Sequence, residues 1–135
     1  MKLPRILVVD DQPHIARITG MILGQAGKFE IALETLPAHV VEAARQFCPN
    51  AIVLDYNMPG KTGADVAREI WGDQALHGTG ILFFCGLVPP SDAALQTIAR
   101  GPFRFISKMI PPNELLAAVE QMVAISPKPE RFAAA

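Results

Sequence analysis

The sequence has few cysteines, no excess of charge of either sign and no apolar run long enough to span a membrane. Cys48 and Cys85 are the two cysteines; they lack metal-type spacing and are too few for a disulfide framework, so we expect two free thiols. Twelve basic residues against 13 acidic ones give no bulk attraction to nucleic acid. The apolar start stops at Asp10, far short of the roughly 20 residues that cross a bilayer. These absences predict a cytoplasmic protein that contacts neither membranes nor nucleic acid.

The 135 residues are enough for one hydrophobic core and too few for two domains. Half of them are apolar and 19% are charged, a composition that excludes a disordered chain. We expect one domain over 1–125. The segment 126–135 contains Pro127 and Pro129, which cannot extend a helix smoothly, so it is predicted to be a flexible tail or the stump of a linker.

Strand-like and helix-like patterns alternate along the chain. Short stretches rich in β-branched or aromatic residues predict five strands, at 5–9, 29–33, 51–54, 81–85 and 103–107. Apolar stripes at helical spacing predict a helix after each strand. In the first helix the stripe consists of Ile15, Ile18, Ile22, Leu23 and Ala26. The pattern is (βα)5, which is typical of an α/β fold with a parallel sheet covered by helices on both faces.

Charged residues inside two of the predicted strands indicate which strands lie at the edges of the sheet. Glu30 interrupts the second strand and Arg104 interrupts the fifth, whereas central strands of parallel sheets are apolar throughout. With right-handed crossovers this favours a doubly wound sheet of five strands in the order 2-1-3-4-5. In such a sheet ligands bind beyond the carboxyl ends of strands 1 and 3, where the order reverses.

Three aspartates stand at that predicted position. Asp10 and Asp11 follow strand 1, and Asp55 follows strand 3. Three ionised carboxylates in one place repel one another, so a cation is the natural occupant, and Mg²⁺ prefers such oxygen ligands. A backbone carbonyl near Asn57 would complete the ligand set. The alternative is that Asp11 caps the first helix ahead of Pro13 and the other two merely end their strands.

Lys108 follows the fifth strand and is therefore expected at the same edge of the sheet. Its ammonium could reach a phosphoryl oxygen held beside the carboxylates. The alternative is an ordinary solvated lysine in a loop, which is where most lysines are found.

The segments ILVVDD, IVLDYNMPGKTG and FRFISKMIPPNEL together resemble the receiver domain of bacterial two-component response regulators. The first resembles the acidic pair of that family, the second the segment around its phosphoacceptor aspartate, and the third the segment with its lysine. The resemblance covers nearly the whole of 1–125 and implies a flavodoxin-like fold like that of the chemotaxis receivers.

The resemblance implies a role for each of these residues. Asp55 would be the phosphoacceptor, Asp10 and Asp11 would bind Mg²⁺ together with Asp55 and the backbone carbonyl of Asn57, and Lys108 would pair with the phosphoryl group. The donor would be a sensor histidine kinase or a histidine phosphotransfer protein, and a downstream protein target would read the phosphorylated state. The domain would promote only its own phosphorylation and dephosphorylation, without being an enzyme for other substrates.

Four positions bear on switching. Phe105 resembles the family's switch aromatic, whose other role is that of a core aromatic in an edge strand. Cys85 stands where the family carries Ser or Thr, and a thiol is a weak donor that can simply serve as a small buried hydrophobe. Met109 replaces a proline, so the peptide bond before it is expected to be trans, because a non-proline cis bond costs about 3 kcal/mol. Leu87 is apolar where relatives are often polar, which suggests a long-lived phosphorylated state.

Three other functions can be considered for the same residues. The triplet GKT at 60–62 ends like a phosphate-binding P-loop, but that motif needs glycine where Asp55 stands. An aspartyl-phosphate phosphatase would need its two acids one residue apart, whereas Asp10 and Asp11 are adjacent. A degenerate receiver that binds partners without phosphorylation is the main alternative. No DNA-binding segment follows the last helix, so we expect a stand-alone regulator or part of a larger protein, as a monomer or a weak homodimer.

Overall fold

The computed structural model describes residues 2–86 and 93–126. Its main sheet contains β1 (Arg5–Val9), β2 (Glu30–Glu34), β3 (Ala51–Asp55), β4 (Gly80–Cys85) and β5 (Phe103–Ser107). Its helices are α1 (Pro13–Gln25), α2 (Val40–Phe47), α3 (Gly63–Gly72), α4 (Ala93–Ile98) and α5 (Pro112–Ile125). A short 3-10 turn at Pro37–His39 precedes α2. Leu87, and the predicted tail beyond Ser126, lie outside the described residues.

The five strands are parallel and lie in the order β2-β1-β3-β4-β5. The predicted α/β class, the strand count and the order 2-1-3-4-5 are therefore confirmed. Strand β2 begins one residue later than predicted, at Glu30. Glu30 and Arg104 are exposed on the two edge strands, as the charge pattern indicated.

The core has two halves, one on each face of the sheet. Every residue of β3 and β4 is buried, because these strands are covered by helices on both sides. On one face Trp71 and Phe83 lead a cluster under α2 and α3, and the Trp71 indole N–H donates to the Thr79 carbonyl at 2.8 Å. On the other face α1 and α5 cover a second cluster, which includes Leu23 and Val119.

The predicted apolar stripe of α1 is wider than the face the helix buries. Leu23 is fully buried, but Ile18 is 52% exposed. The physical reason is the position of α1, which packs against the edge strand β2 on one side and against α5 on the other. Its outer side has no further element to cover it, so Ile18 stays in contact with solvent.

The chain leaves β3 through a small antiparallel hairpin that pairs Asn57–Met58 with Lys61–Thr62. Gly60 takes a positive φ of 82° at its turn, a conformation that glycine adopts without steric cost. Thr62 then caps α3 in a reciprocal capping box with Asp65. The Pro-Gly turn after β3 thus directs the chain from Asp55 into α3. Within the described ranges, no helix has both the length and the apolar character required to span a membrane.

Candidate functional site

The three predicted aspartates come together at the carboxyl edge of the sheet. β1 pairs with β3, and Val9 lies beside Leu54, so the residues that follow them are neighbours. One carboxylate oxygen each of Asp10, Asp11 and Asp55 lies within 4.8 Å of the others. Asp10 and Asp55 are each only 2% exposed. This is a dense negative charge in a largely water-excluded place.

Lys108 reaches the same point from the end of β5. Its Nζ lies 3.1 Å from Asp10 Oδ2 and 3.1 Å from Asp55 Oδ1. Its backbone N–H donates to the Cys85 carbonyl at 2.8 Å, which fixes the start of the loop after β5 against the end of β4. One ammonium faces three carboxylates, so the cluster keeps a net negative charge.

Backbone donors orient the two buried carboxylates. The Gln12 N–H donates to Asp10 Oδ1 at 3.0 Å, and the Asn57 N–H donates to Asp55 Oδ1 at 3.2 Å. In the part of the chain that the structure describes, the contacts of Asp55 with Asn57 and Lys108 both end on Oδ1. Within those described residues, no hydrogen bond or ion pair ends on the second oxygen of Asp55, Oδ2.

The surroundings shift the pKa of two of these groups. Burial, together with the charge of Asp10, raises the pKa of Asp55 to about 6, although Lys108 and the Asn57 N–H act in the opposite direction. Burial would lower the pKa of Lys108, but its hydrogen bonds to Asp10 and Asp55 and their charges outweigh burial and raise it. Ionised Asp55 is thus under-compensated by Lys108 alone, which favours an additional cation.

An open cavity of about 590 Å³ leads to the cluster. Asp11, Asp55, Asn57 and Lys108 are among the residues that line it. The three carboxylates offer oxygen ligands and keep a residual negative charge, which fits a hard ion such as Mg²⁺. Mg²⁺ keeps several bound waters, so it needs an accessible site such as this cavity. The cavity has room for a hydrated ion and a phosphoryl group. The backbone carbonyl of Asn57 as a fourth ligand stays a prediction.

Cys85 lies at the end of β4 beside this site. It is buried and its thiol donates to the Ile106 carbonyl at 3.4 Å, while burial raises the pKa of the thiol. The cavity is lined by the next residue, Gly86. Cys85 and Cys48 are both free thiols, as predicted. The role of Cys85 in switching stays a prediction.

Met109 is exposed, and the Lys108–Met109 peptide bond is trans, as expected for a non-proline residue. The Met109 N–H donates to Ser107 Oγ at 3.0 Å, a bond that proline at this position could not make because it has no N–H. The loop that carries Lys108 is therefore held by its own side-chain hydrogen bond.

Phe105 is partly buried and belongs to an aromatic cluster. Its ring stacks on Phe83 with centroids 5.1 Å apart and meets Tyr56 edge-on at 5.8 Å. Sequence reasoning missed Tyr56. An aromatic residue directly after the candidate phosphoacceptor was the available signal, but contacts between a ring that follows β3 and rings within β4 and β5 cannot be derived from spacing.

The fold and the acidic site at its switch point define a class, the response regulator receiver domains. The chain belongs to this family, whose description, "Response regulator receiver domain", matches residues 6–120. Among curated proteins it is 31% identical to the DNA-binding response regulator MtrA of Mycolicibacterium smegmatis over 115 residues, which is 85% of this chain and 48% of MtrA.

A second relative is the phosphate regulon transcriptional regulatory protein PhoB of Pseudomonas aeruginosa. It is 29% identical over 119 residues, which cover 87% of this chain and 51% of PhoB. The chain therefore spans about half the length of the curated relatives it matches. The similarity therefore concerns only the matched half of each relative.

Solved receiver structures superpose closely on the fold. The signal receiver domain of NarL from Mycobacterium tuberculosis gives a TM-score of 0.77 at 28% identity, with 92% of this chain and 98% of that chain covered. The chemotaxis protein CheY4 of Vibrio cholerae gives 0.78 at 21% identity, with 90% and 99% covered. The CheY4 likeness supports the flavodoxin-like fold alone.

Proposed function

We propose that this receiver domain accepts a phosphoryl group on Asp55 from a phosphohistidine of a sensor histidine kinase or a histidine phosphotransfer protein. The observation that supports this proposal is the surrounding of Asp55, a buried carboxylate on the wall of an open cavity, with Oδ1 held by Asn57 and Lys108 and with no such contact on Oδ2 among the described residues. A carboxylate in that state is a competent nucleophile for phosphoryl transfer.

In the proposed reaction, Asp55 Oδ2 forms a bond to phosphorus as the phosphorus–nitrogen bond of the donor histidine breaks, and that electron pair stays on the imidazole nitrogen. Asp10, Asp11, Asp55 and the Asn57 carbonyl would hold Mg²⁺, which when bound offsets charge on the transferred oxygens. The backbone donor of Asn57 fixes the carboxylate for in-line attack.

In this proposal Lys108 also contacts the transferred phosphoryl group. Its ammonium, now shared between Asp10 and Asp55, would move to an oxygen of the phosphoryl group, because a charge-assisted hydrogen bond to that group is strong. Since Lys108 directly follows β5, this movement changes the loop at the end of β5. A downstream protein target would read the change on the face formed by β4, α4 and β5.

The proposal includes no direct contact with nucleic acid or membranes by this domain, no enzymatic activity on other substrates, a cytoplasmic location, and a monomer or a weak homodimer. Glu120, an acidic residue of α5, forms an ion pair with Lys28 of the same chain at 3.5 Å. Arg104 contacts Gln121 of its own chain at 3.4 Å. Both side chains therefore already have a partner within their own chain.

Intact-mass spectrometry after incubation with acetyl phosphate tests the proposal. The wild-type protein is expected to gain one phosphoryl group when Mg²⁺ is present and much less when Mg²⁺ is chelated. Asp55→Asn, which keeps the shape of the side chain and removes the nucleophile, is the matched control. A wild-type protein that gains nothing would favour the degenerate receiver, for which the buried Cys85 thiol and the bond it makes within the sheet are the supporting observations.

A further inference from the structure

The backbone of Tyr56, the residue after Asp55, is held by hydrogen bonds at both its N–H and its carbonyl. Its N–H donates to the Phe84 carbonyl at 2.8 Å, and its carbonyl accepts from the Gly63 N–H at 2.7 Å. These bonds tie the peptide to β4 on one side and to the start of α3 on the other. A change at Asp55 therefore reaches Tyr56 through the single peptide unit that joins them, and the side chain is the part of Tyr56 that can respond.

The ring of Tyr56 is in contact with Phe105. The two centroids are 5.8 Å apart with the ring planes at 61°, and Tyr56 meets Phe83 at 5.8 Å and 73°. Phe83 and Phe105 stack at 5.1 Å, so the three rings touch one another pairwise. Because the three rings pack against one another, a shift of one ring toward the other two displaces them.

Helix α3 closes the space on the other side of Tyr56. A Cβ atom at Gly63 would lie 2.8 Å from the Tyr56 Cα and 3.0 Å from its Cδ2, distances that only glycine allows without a shift of the backbone. Tyr56 thus has no room to move toward α3. Tyr56 is half-buried, so a displacement of its side chain that does not turn outward to solvent is taken up on the side of Phe83 and Phe105.

The route from the site to β5 through position 85 is weak in this chain. Cys85 directs its thiol to the Ile106 carbonyl, and the residue that lines the cavity is Gly86. A thiol is a poor donor to a phosphoryl oxygen. Among the described residues, the ring contact of Tyr56 is thus a second connection between the Asp55 site and Phe105, beside the one that Lys108 makes from the end of β5.

We propose that Tyr56 is a positioning residue that couples the state of Asp55 to the position of Phe105 through contact between their rings. This inference rests on the proposed phosphorylation of Asp55. It makes the aromatic character of Tyr56, and not its hydroxyl group, the property that matters for the response of β5.

The test uses the full 135-residue chain with Mg²⁺ and beryllofluoride, a mimic of the phosphoryl group. Fluorine NMR reports whether the mimic is bound, and amide NMR reports the shifts of Phe105 and Ser107. Tyr56→Phe keeps the ring and is expected to respond as the wild type does. Tyr56→Leu is expected to keep the bound-fluoride signal while its Phe105 shift falls below about half of the wild-type value, because the coupling contact is lost.

Thermal melting establishes that each variant is folded, and Tyr56→Met, with a longer and more flexible side chain, replaces Tyr56→Leu where the latter does not fold. A wild-type shift of Phe105 in the folded Leu or Met variant would overturn the coupling. Loss of the bound-fluoride signal in that variant would also overturn it, since Tyr56 would then act on the Asp55 pocket itself. A wild-type protein without bound fluoride would contradict the proposed function, and the coupling would fall with it.

Discussion

The ammonium of Lys108 lies 3.1 Å from Asp55 Oδ1, although the two residues belong to strand ends on opposite sides of β4. β4 pairs with both β3 and β5, so the parallel sheet alone brings their ends to one edge. Within residues 2–86 and 93–126, Lys108 is the one cation in contact with the buried Asp55 carboxylate, and Asp10 shares it. The three carboxylates together therefore carry more negative charge than the Lys108 ammonium neutralises, and a cation would offset the remainder.

Asp55→Asn is expected to abolish phosphoryl uptake and to make the metal-free protein more stable. The substitution removes a buried charge that Asp10 repels and burial disfavours. At pH 7 we expect the free energy of unfolding to rise by about 1 to 3 kcal/mol, the order of magnitude of a pKa shift of this size, which already includes the opposing contact with Lys108. Urea unfolding in the presence of a chelator measures it, and an unchanged or lower stability would contradict the assignment of Asp55 as the strained group.

The contribution of Asp55 to the stability of the metal-free wild type should fall as pH rises from about 4 to about 6. The pKa of Asp55 is about 6 in the folded protein against 3.8 as the ordinary value, so the unfolded chain loses this proton first and folding is favoured below that window. The difference between wild type and Asp55→Asn in urea unfolding isolates this group from the other titrating residues. A difference that stays constant from pH 4 to pH 7 would show that the pKa of Asp55 is not raised.

Asp11→Ala is expected to weaken Mg²⁺ binding by at least about 10-fold, because it removes one of three converging carboxylates. Titration calorimetry or amide NMR measures the affinity. Glu114→Ala, which removes an exposed carboxylate from the first turn of α5, is the matched control and should leave the affinity unchanged. Equal affinities of the Asp11 variant and the wild type would remove Asp11 from the site.

Lys108→Ala should reduce the response of β5 to beryllofluoride more than it reduces Mg²⁺ affinity. The ammonium now occupies oxygens of Asp10 and Asp55, so its removal frees ligand atoms for the ion while it deletes the partner of the phosphoryl group. Amide shifts at Phe105 and a Mg²⁺ titration on the same sample give both quantities. A parallel loss of the two would mean that Lys108 chiefly shapes the pocket.

Cys85→Thr is expected to increase the response of Phe105 and α4 to the phosphoryl mimic. A hydroxyl bond to a charged group contributes roughly 1.5 to 3 kcal/mol, which would raise the active-to-inactive ratio by about 10-fold to 100-fold. The Ile106 carbonyl that accepts from the thiol offers the new hydroxyl a partner in the unphosphorylated state, so the loss of stability should stay near 1 kcal/mol or less. Unchanged shifts in a folded variant would show that the chain does not switch through position 85.

The sequence was sufficient to predict the sheet order and the meeting of Asp10, Asp55 and Lys108, because in a parallel sheet the positions just beyond the strands share one edge. It was insufficient where packing decides. The exposure of Ile18 depends on which elements flank α1, and the contact between Tyr56 and Phe105 depends on ring orientation. The raised pKa of Asp55 follows from burial and from the distance to Asp10, neither of which a one-dimensional pattern contains.

The phosphorylation of Asp55 is tested most directly by reductive trapping followed by peptide mapping. Borohydride reduces an aspartyl phosphate to homoserine, which marks the modified residue for tandem mass spectrometry. After treatment of the wild-type chain with acetyl phosphate and Mg²⁺, we predict homoserine at position 55, and none when Mg²⁺ is chelated. Homoserine at another aspartate, or none under either condition, would contradict the account.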